Sequence, residues 1–224
     1  PYMDDKTILE ILVDYFYWIK EHRRWDNGMY WTTSWANGMD NNPRLFHPDS
    51  VSVNQEAYGG VCDNLGANWV DITAQQGLNA YYIAQIAGAV GDADLQAEFE
   101  KEHAEIAQVV NTKMWDPVDK FYYDLDKNEV LNKIKTPASF WPMIAHITSE
   151  EQSANLVDHI LNPDQFWTVH HIPTVAANAP GYRKDGGYWN GAVWAPTLYE
   201  TVKGLEVQGH KDVAQKVSIN HIQN

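Results

Sequence analysis

The sequence predicts an all-α fold built from paired helices. Three observations carry this. Apolar residues recur at helical spacing through most of the 224-residue chain. Gly, Asp and Pro break the recurring segments into consecutive pairs. No strand–helix alternation appears, which argues against a parallel α/β sheet. Paired helices of this kind curl into a closed toroid or an open solenoid. No fixed sequence period is visible, which counts against simple solenoid repeats.

Residues 5–24 read as the first helix. Ile8, Ile11, Leu12, Tyr15, Phe16 and Ile19 keep helical spacing, Asp4 or Asp5 can cap its start, and His22-Arg23-Arg24 suit its carboxyl end. Residues 25–68 form a long segment rich in Asn, Gly, Pro and Trp, and long ordered loops are often functional. Residues 69–90 read as a second helix, with Leu78, Tyr82, Ile86 and Val90 on one stripe. Gly91-Asp92 breaks it. Residues 93–114 follow, with Leu95, Phe99, Ile106 and Val110 facing inward, so the two make a helical hairpin. Asp116-Pro117 and Asp126-Lys127-Asn128 are turn signals around the β-prone Phe121-Tyr122-Tyr123, which predicts one short β-hairpin near 118–131. A short helical pair is expected at 138–147 and 149–161. Then comes an aromatic loop over 162–190, a helix over 191–207 with Trp194, Leu198, Val202 and Leu205 in register, and a last helix after Gly209. With no linker and no low-complexity stretch, residues 1–224 read as a single domain.

Composition narrows the functional classes. Apolar residues make up 44%, as in a globular protein, and ten Trp and twelve Tyr are many for this length. The formal net charge of −14 argues against nucleic acid and against an anionic membrane surface as partners. Cys62 stands alone, so no intrachain disulfide forms. That fits a cytoplasmic protein without excluding a periplasmic or secreted one. No apolar run reaches membrane-spanning length. A chain that begins at Pro1 reads as processed, trimmed or partial. The nine His include no metal-binding pairing, and neither a phosphate loop nor a nucleophile elbow occurs, so no metal or other cofactor is expected.

The stretch Trp35-Ala36-Asn37-Gly38-Met39-Asp40-Asn41-Asn42-Pro43-Arg44 places a carboxylate in a turn. Tyr30, Trp31, Trp35 and Asn41 around it offer flat apolar faces and amides, which suit a sugar ring. Asp40 can then donate a proton to a glycosidic oxygen. On spacing alone, an Asx-turn or helix cap is the favoured reading. Gly186-Gly187-Tyr188-Trp189-Asn190-Gly191-Ala192-Val193-Trp194-Ala195-Pro196 is the second such stretch. Its glycines let the backbone approach a ligand, and Tyr188 and Trp189 offer stacking faces and donors. Core packing is the alternative for its tryptophans, and the one favoured for Trp194. In Trp69-Val70-Asp71-Ile72-Thr73-Ala74-Gln75-Gln76, Asp71 suits a helix N-cap first and substrate binding second, and Gln75 or Gln76 can reach a sugar hydroxyl. Arg44 suits either a salt bridge or the orienting of Asp40 or of substrate. In Ser139-Phe140-Trp141-Pro142, Phe140 reads as core and Trp141 stays open.

Gly38-Met39-Asp40-Asn41-Asn42-Pro43-Arg44 resembles the Gly-Met-Asp-Asn-Ser-Pro-Arg signature of glycoside hydrolase family 63. Its close relatives include α-glucosidases and the mannosylglycerate and glucosylglycerate hydrolases; the trehalases are more distant. The Gly186–Pro196 stretch is similar to that family's pocket-lining run. Asn42 departs from the pattern where Ser is usual, and Ala36-Asn37 where a Glu-Ser pair is common. The resemblance implies an (α/α)6 toroid, with Asp40 as general acid of an inverting hydrolysis of a small α-linked glucoside or mannoside. It further implies that the general-base Glu lies outside this chain, which would be the central part of the catalytic domain and an incomplete barrel. The remainder of that domain is then its partner, and this chain alone is expected to be inactive. Among internal carboxylates, Asp185 is a better candidate base than Glu56, Asp63 or Glu200. The competing functions are a trehalase-like hydrolase, a non-catalytic carbohydrate-binding relative, and a sugar epimerase or isomerase, which would want paired His bases.

Overall fold

The computed structural model describes residues 7–32, 38–45, 68–126 and 128–223. Trp35, Asn37, Glu56, Cys62 and Asp63 lie outside the described residues. Seven α-helices dominate the rest: α1 (Ile8–His22), α2 (Val70–Val90), α3 (Ala93–Val109), α4 (Trp141–Ile144), α5 (Glu150–Ile160), α6 (Ala195–Val207) and α7 (Lys211–Gln223). Two-residue strands β1 (Trp115–Asp116), β2 (Phe121–Tyr122), β3 (Asp124–Leu125) and β4 (Leu131–Asn132) lie between α3 and α4. The helical class and paired arrangement expected from the sequence are those of the structure. None of the described helices is long and apolar enough to cross a membrane.

The cap of α1 is Thr7. Its hydroxyl accepts from the Glu10 N–H, and the Glu10 carboxylate accepts from the Thr7 N–H at 2.6 Å. Such a reciprocal box is worth about 1 kcal/mol. Phe16 anchors the helix in the core, where it meets Phe99 of α3 edge-on with ring centroids 4.9 Å apart. α2 stops at Gly91, which takes the left-handed conformation (φ 85°), and Asp92 then caps α3 through the Leu95 N–H.

The stripe expected on α2 faces the other way. Tyr82, Ile86 and Val90 are exposed, and the buried face is made of Val70, Ala74, Gly77, Ala80, Ala84 and Ala87 with Ile83. Small residues win this face because neighbours come close: a Cβ on Gly77 would sit 3.1 Å from Ile147 and 3.2 Å from Ile106. Tyr199 of α6 is exposed as well. α1 likewise exposes Ile8, Leu12, Tyr15 and Trp18.

Two hairpins replace the single one expected near 118–131. A π-helical turn (Val110–Met114) feeds β1, which pairs antiparallel with β2, and β3 pairs antiparallel with β4. Tyr123 separates the two pairs, and Phe121, Tyr122 and Tyr123 are all buried, so the ribbon is covered on both faces. The helix expected at 138–147 is shortened to a 3₁₀ turn (Pro137–Phe140) followed by α4, which packs against both α2 and α6. α5 begins with a second capping box, Ser149 with Gln152. α6 and α7 pack together across Gly209.

Candidate active site

The loop bearing Asp40 is tied to the loop after α5 by side-chain amides. Asn41 accepts from the Trp189 N–H at 2.9 Å and donates to the Gly187 carbonyl at 3.0 Å. Asn42 is fully buried, and its Nδ2 donates to the carbonyls of Thr174 and Trp189, both at 2.9 Å. An amide reaches two carbonyls where a serine hydroxyl has one proton to give. At Asn42, the position where the sequence departs from the resembled signature, the side chain is therefore structural. It braces the loop and does not face the pocket.

The braced loop brings Asp40 to Tyr188, whose hydroxyl donates to Asp40 Oδ2 at 2.8 Å. Tyr188 follows two glycines with positive φ and is itself left-handed (φ 67°), a conformation that costs a non-glycine residue about 1 kcal/mol or more. Next to it, Trp189 stacks on Trp194 with ring centroids 4.4 Å apart, and the Trp194 indole donates to the Tyr188 carbonyl at 3.0 Å.

Gly38 and Met39, which immediately precede Asp40, line a cavity of about 280 Å³. Trp189 and Trp194 form one wall; Asp71 and Gln75 of α2, Trp141 of α4 and Glu200 of α6 form the others. Asp71 is not the N-cap of α2. Trp69 holds that position, and the first-turn Val70 N–H is taken instead by Asp124 Oδ1 at 2.8 Å. Asp71 is bound by the buried Arg44, at 2.7 Å, and Arg44 also lies 3.3 Å from Asp124. Burial and the neighbouring Asp71 push the Asp124 carboxyl up to about 6, against the pull of Arg44. Arg44 thus takes the salt-bridge role and acts on the pocket through Asp71.

Of the other residues expected around a sugar, Gln75 is on the pocket wall, whereas Tyr30 and Gln76 are not. Tyr30 is buried, its N–H on the Thr73 hydroxyl, and Gln76 donates to the Phe16 carbonyl in the core. Trp31 lies against Trp25 and under the Arg23 guanidinium. Asp185 is exposed and held in a two-point ion pair by Arg183, which keeps its carboxyl below the usual range. It borders a separate groove with Trp167 and His171 and does not line the cavity. Glu200, which the sequence ranked below it, lines the cavity together with Asp71. Burial, then Asp71, push Glu200 up to about 7 against a hydrogen bond from Trp141. The signal was present: Pro196, Thr197 and Glu200 recur at the spacing of one helix face. Among the described residues no three His, Cys, Asp or Glu side chains converge as metal ligands.

Comparison with known proteins gives consistent matches. Residues 5–222 match the family model of the mannosylglycerate hydrolase MGH1-like glycoside hydrolase domain. An uncharacterized protein of Borreliella burgdorferi is 31% identical over 215 residues, covering 96% of this chain and 41% of that protein. A periplasmic trehalase of Salmonella agona is 23% identical over 151 residues, covering 63% of this chain and 24% of that protein. The crystal structure of a family 63 mannosylglycerate hydrolase from Thermus thermophilus in complex with glucose superposes with a TM-score of 0.80 at 18% identity. It covers 96% of this chain and 59% of that one. The architecture is therefore that of the family 63 (α/α)6 toroid, and the chain spans less than two thirds of the length of each of these relatives.

Proposed function

The chain belongs to the mannosylglycerate hydrolase MGH1-like glycoside hydrolase family, and from that premise we propose that it carries the acid-bearing part of an inverting glycosidase site. Asp40 is the general acid. It protonates the glycosidic oxygen as the bond from the anomeric carbon breaks, while a water deprotonated by a second carboxylate attacks the opposite face. That base is a Glu in the remainder of the catalytic domain, which packs against the exposed apolar residues of α2 and α6. The substrate is a small α-linked glucoside or mannoside, with one sugar ring between Gln75 and the Trp189–Trp194 wall.

The hydrogen bond from Tyr188 to Asp40 is the observation that carries this reading. It joins two stretches 148 residues apart, and it orients one carboxyl oxygen while leaving the other for the substrate. Support also comes from the Thermus relative, a mannosylglycerate hydrolase in complex with glucose. The match to a trehalase favours, as second reading, an α-linked disaccharide of glucose as substrate.

The test is steady-state hydrolysis of a panel of α-glucosides and α-mannosides by the enzyme expressed from its full-length gene. Asp40→Asn is expected to lower kcat by about 10²–10⁴-fold with the fold intact, and Tyr188→Phe by a smaller factor. NMR of the first product is expected to show the inverted anomer. Unimpaired turnover by Asp40→Asn, or a retained anomer, would sink the assignment.

A further inference from the structure

Glu200 shares the pocket-facing side of α6 with Pro196 and Thr197. Two groups from neighbouring helices face it. Asp71 of α2 is an acid already held by Arg44, and Trp141 of α4 offers only a neutral indole N–H. No cation pairs with Glu200 among the described residues. The consequence is a carboxyl pushed up to about 7, first by burial and then by Asp71. A side chain kept here for packing alone would be apolar, because a partly desolvated acid beside another acid weakens the fold.

The wall beside it is aromatic: Trp189 and Trp194 line the same cavity, stacked with ring centroids 4.4 Å apart. A sugar ring lays its C–H face on such a wall while one of its hydroxyls donates to a carboxyl oxygen. The cavity, about 280 Å³, suits one ring and not an oligosaccharide.

We propose that Glu200 is a specificity-determining residue of this pocket, holding a ring hydroxyl of a neutral monosaccharide unit that lies on the Trp189–Trp194 wall. The proposal rests on reading the pocket as the sugar site, and it gives Glu200 a binding role separate from proton transfer at Asp40. The Glu200 carboxyl oxygen accepts from that hydroxyl, a role that the amide oxygen of glutamine reproduces and alanine does not.

The experiment is titration of the full-length enzyme with glucose, mannose and their singly deoxygenated analogues, followed by tryptophan fluorescence. KM and kcat are measured in parallel on the preferred glycoside. Glu200→Ala is expected to weaken sugar binding and raise KM by about 10–100-fold, with kcat within about threefold of wild type. One deoxy analogue is expected to lose nothing further in that variant, which identifies the hydroxyl held. Glu200→Gln is expected to restore affinity to within about threefold. Wild-type affinity in Glu200→Ala overturns the proposal, and so does a Glu200→Gln enzyme that binds sugar normally but has lost turnover, since that would make Glu200 a proton-transferring group. If Asp40→Asn still hydrolyses while Glu200→Ala behaves as expected, the acid assignment falls and this one stands. If the wild-type enzyme binds none of the sugars, both fall.

Discussion

At the scale of single residues, the site depends on a buried ion-pair cluster. Arg44 is 2% exposed and balances Asp71 and Asp124. Removing it leaves two acids buried without their cation, which typically costs about 3–5 kcal/mol. Arg44→Met is expected to lose that much in urea-unfolding free energy, and Arg44→Ala no less. Glu200 gives the pH dependence. Its folded value, about 7, is above the ordinary 4.5, so the native state binds its proton more tightly than the unfolded chain does. Its contribution is therefore most favourable below about pH 4.5 and is lost as pH rises to about 7. Solvent screening limits this to the order of 1–2 kcal/mol. Melting temperature should fall between pH 5 and pH 8, and Glu200→Gln should flatten the fall. An identical slope in the variant would remove Glu200 as its source.

At the scale of elements, the turn that presents Tyr188 is tightly constrained. Gly191 (φ 152°) lies so close to the preceding strand of chain that an added Cβ would stand 2.4 Å from the Arg183 carbonyl oxygen. Backbone cannot yield as a flexible side chain does, so Gly191→Ala is expected to lower both the melting temperature and kcat. A near-wild-type melt would mean that the turn relaxes. This scale also shows what the sequence made legible. The helices α1, α2, α3, α5, α6 and α7 were readable because apolar spacing and caps are local. The inward face of α2 was misread because its burial is set by small residues, which carry little hydropathy signal beside Tyr82 and Ile86. The two hairpins were merged because strands of two residues leave no period to count. Gln75 and Trp189 line the cavity, and Tyr188 meets Asp40 in the loop beside it. Tyr30 and Gln76 were drawn into the list by proximity in sequence, and their neighbours in space are core. Glu200 was undervalued because what sets its environment, Asp71 on α2 and Trp141 on α4, comes from other elements and is invisible along the chain.

At the scale of the whole molecule, helix pairs made of local contacts carry a site made of distant ones. α2 and α3 meet across Gly91-Asp92, and each capping box closes within three residues. The contact between Tyr188 and Asp40 spans 148 residues. Closing so long a loop costs roughly 2–3 kcal/mol more than closing one of about ten residues, and nothing local rewards it in advance. The order of events in refolding follows. Helical circular dichroism should recover in an early phase, and the fluorescence of the Trp189–Trp194 stack in a later one, after the Asn41 and Asn42 braces have found their carbonyls. Stopped-flow refolding followed by both probes would separate the phases, and coincident traces would show instead that the pocket assembles together with its scaffold. On this ordering, a chain that has gained its helices is still without its acid site, so the geometry around Asp40 is a late checkpoint of maturation.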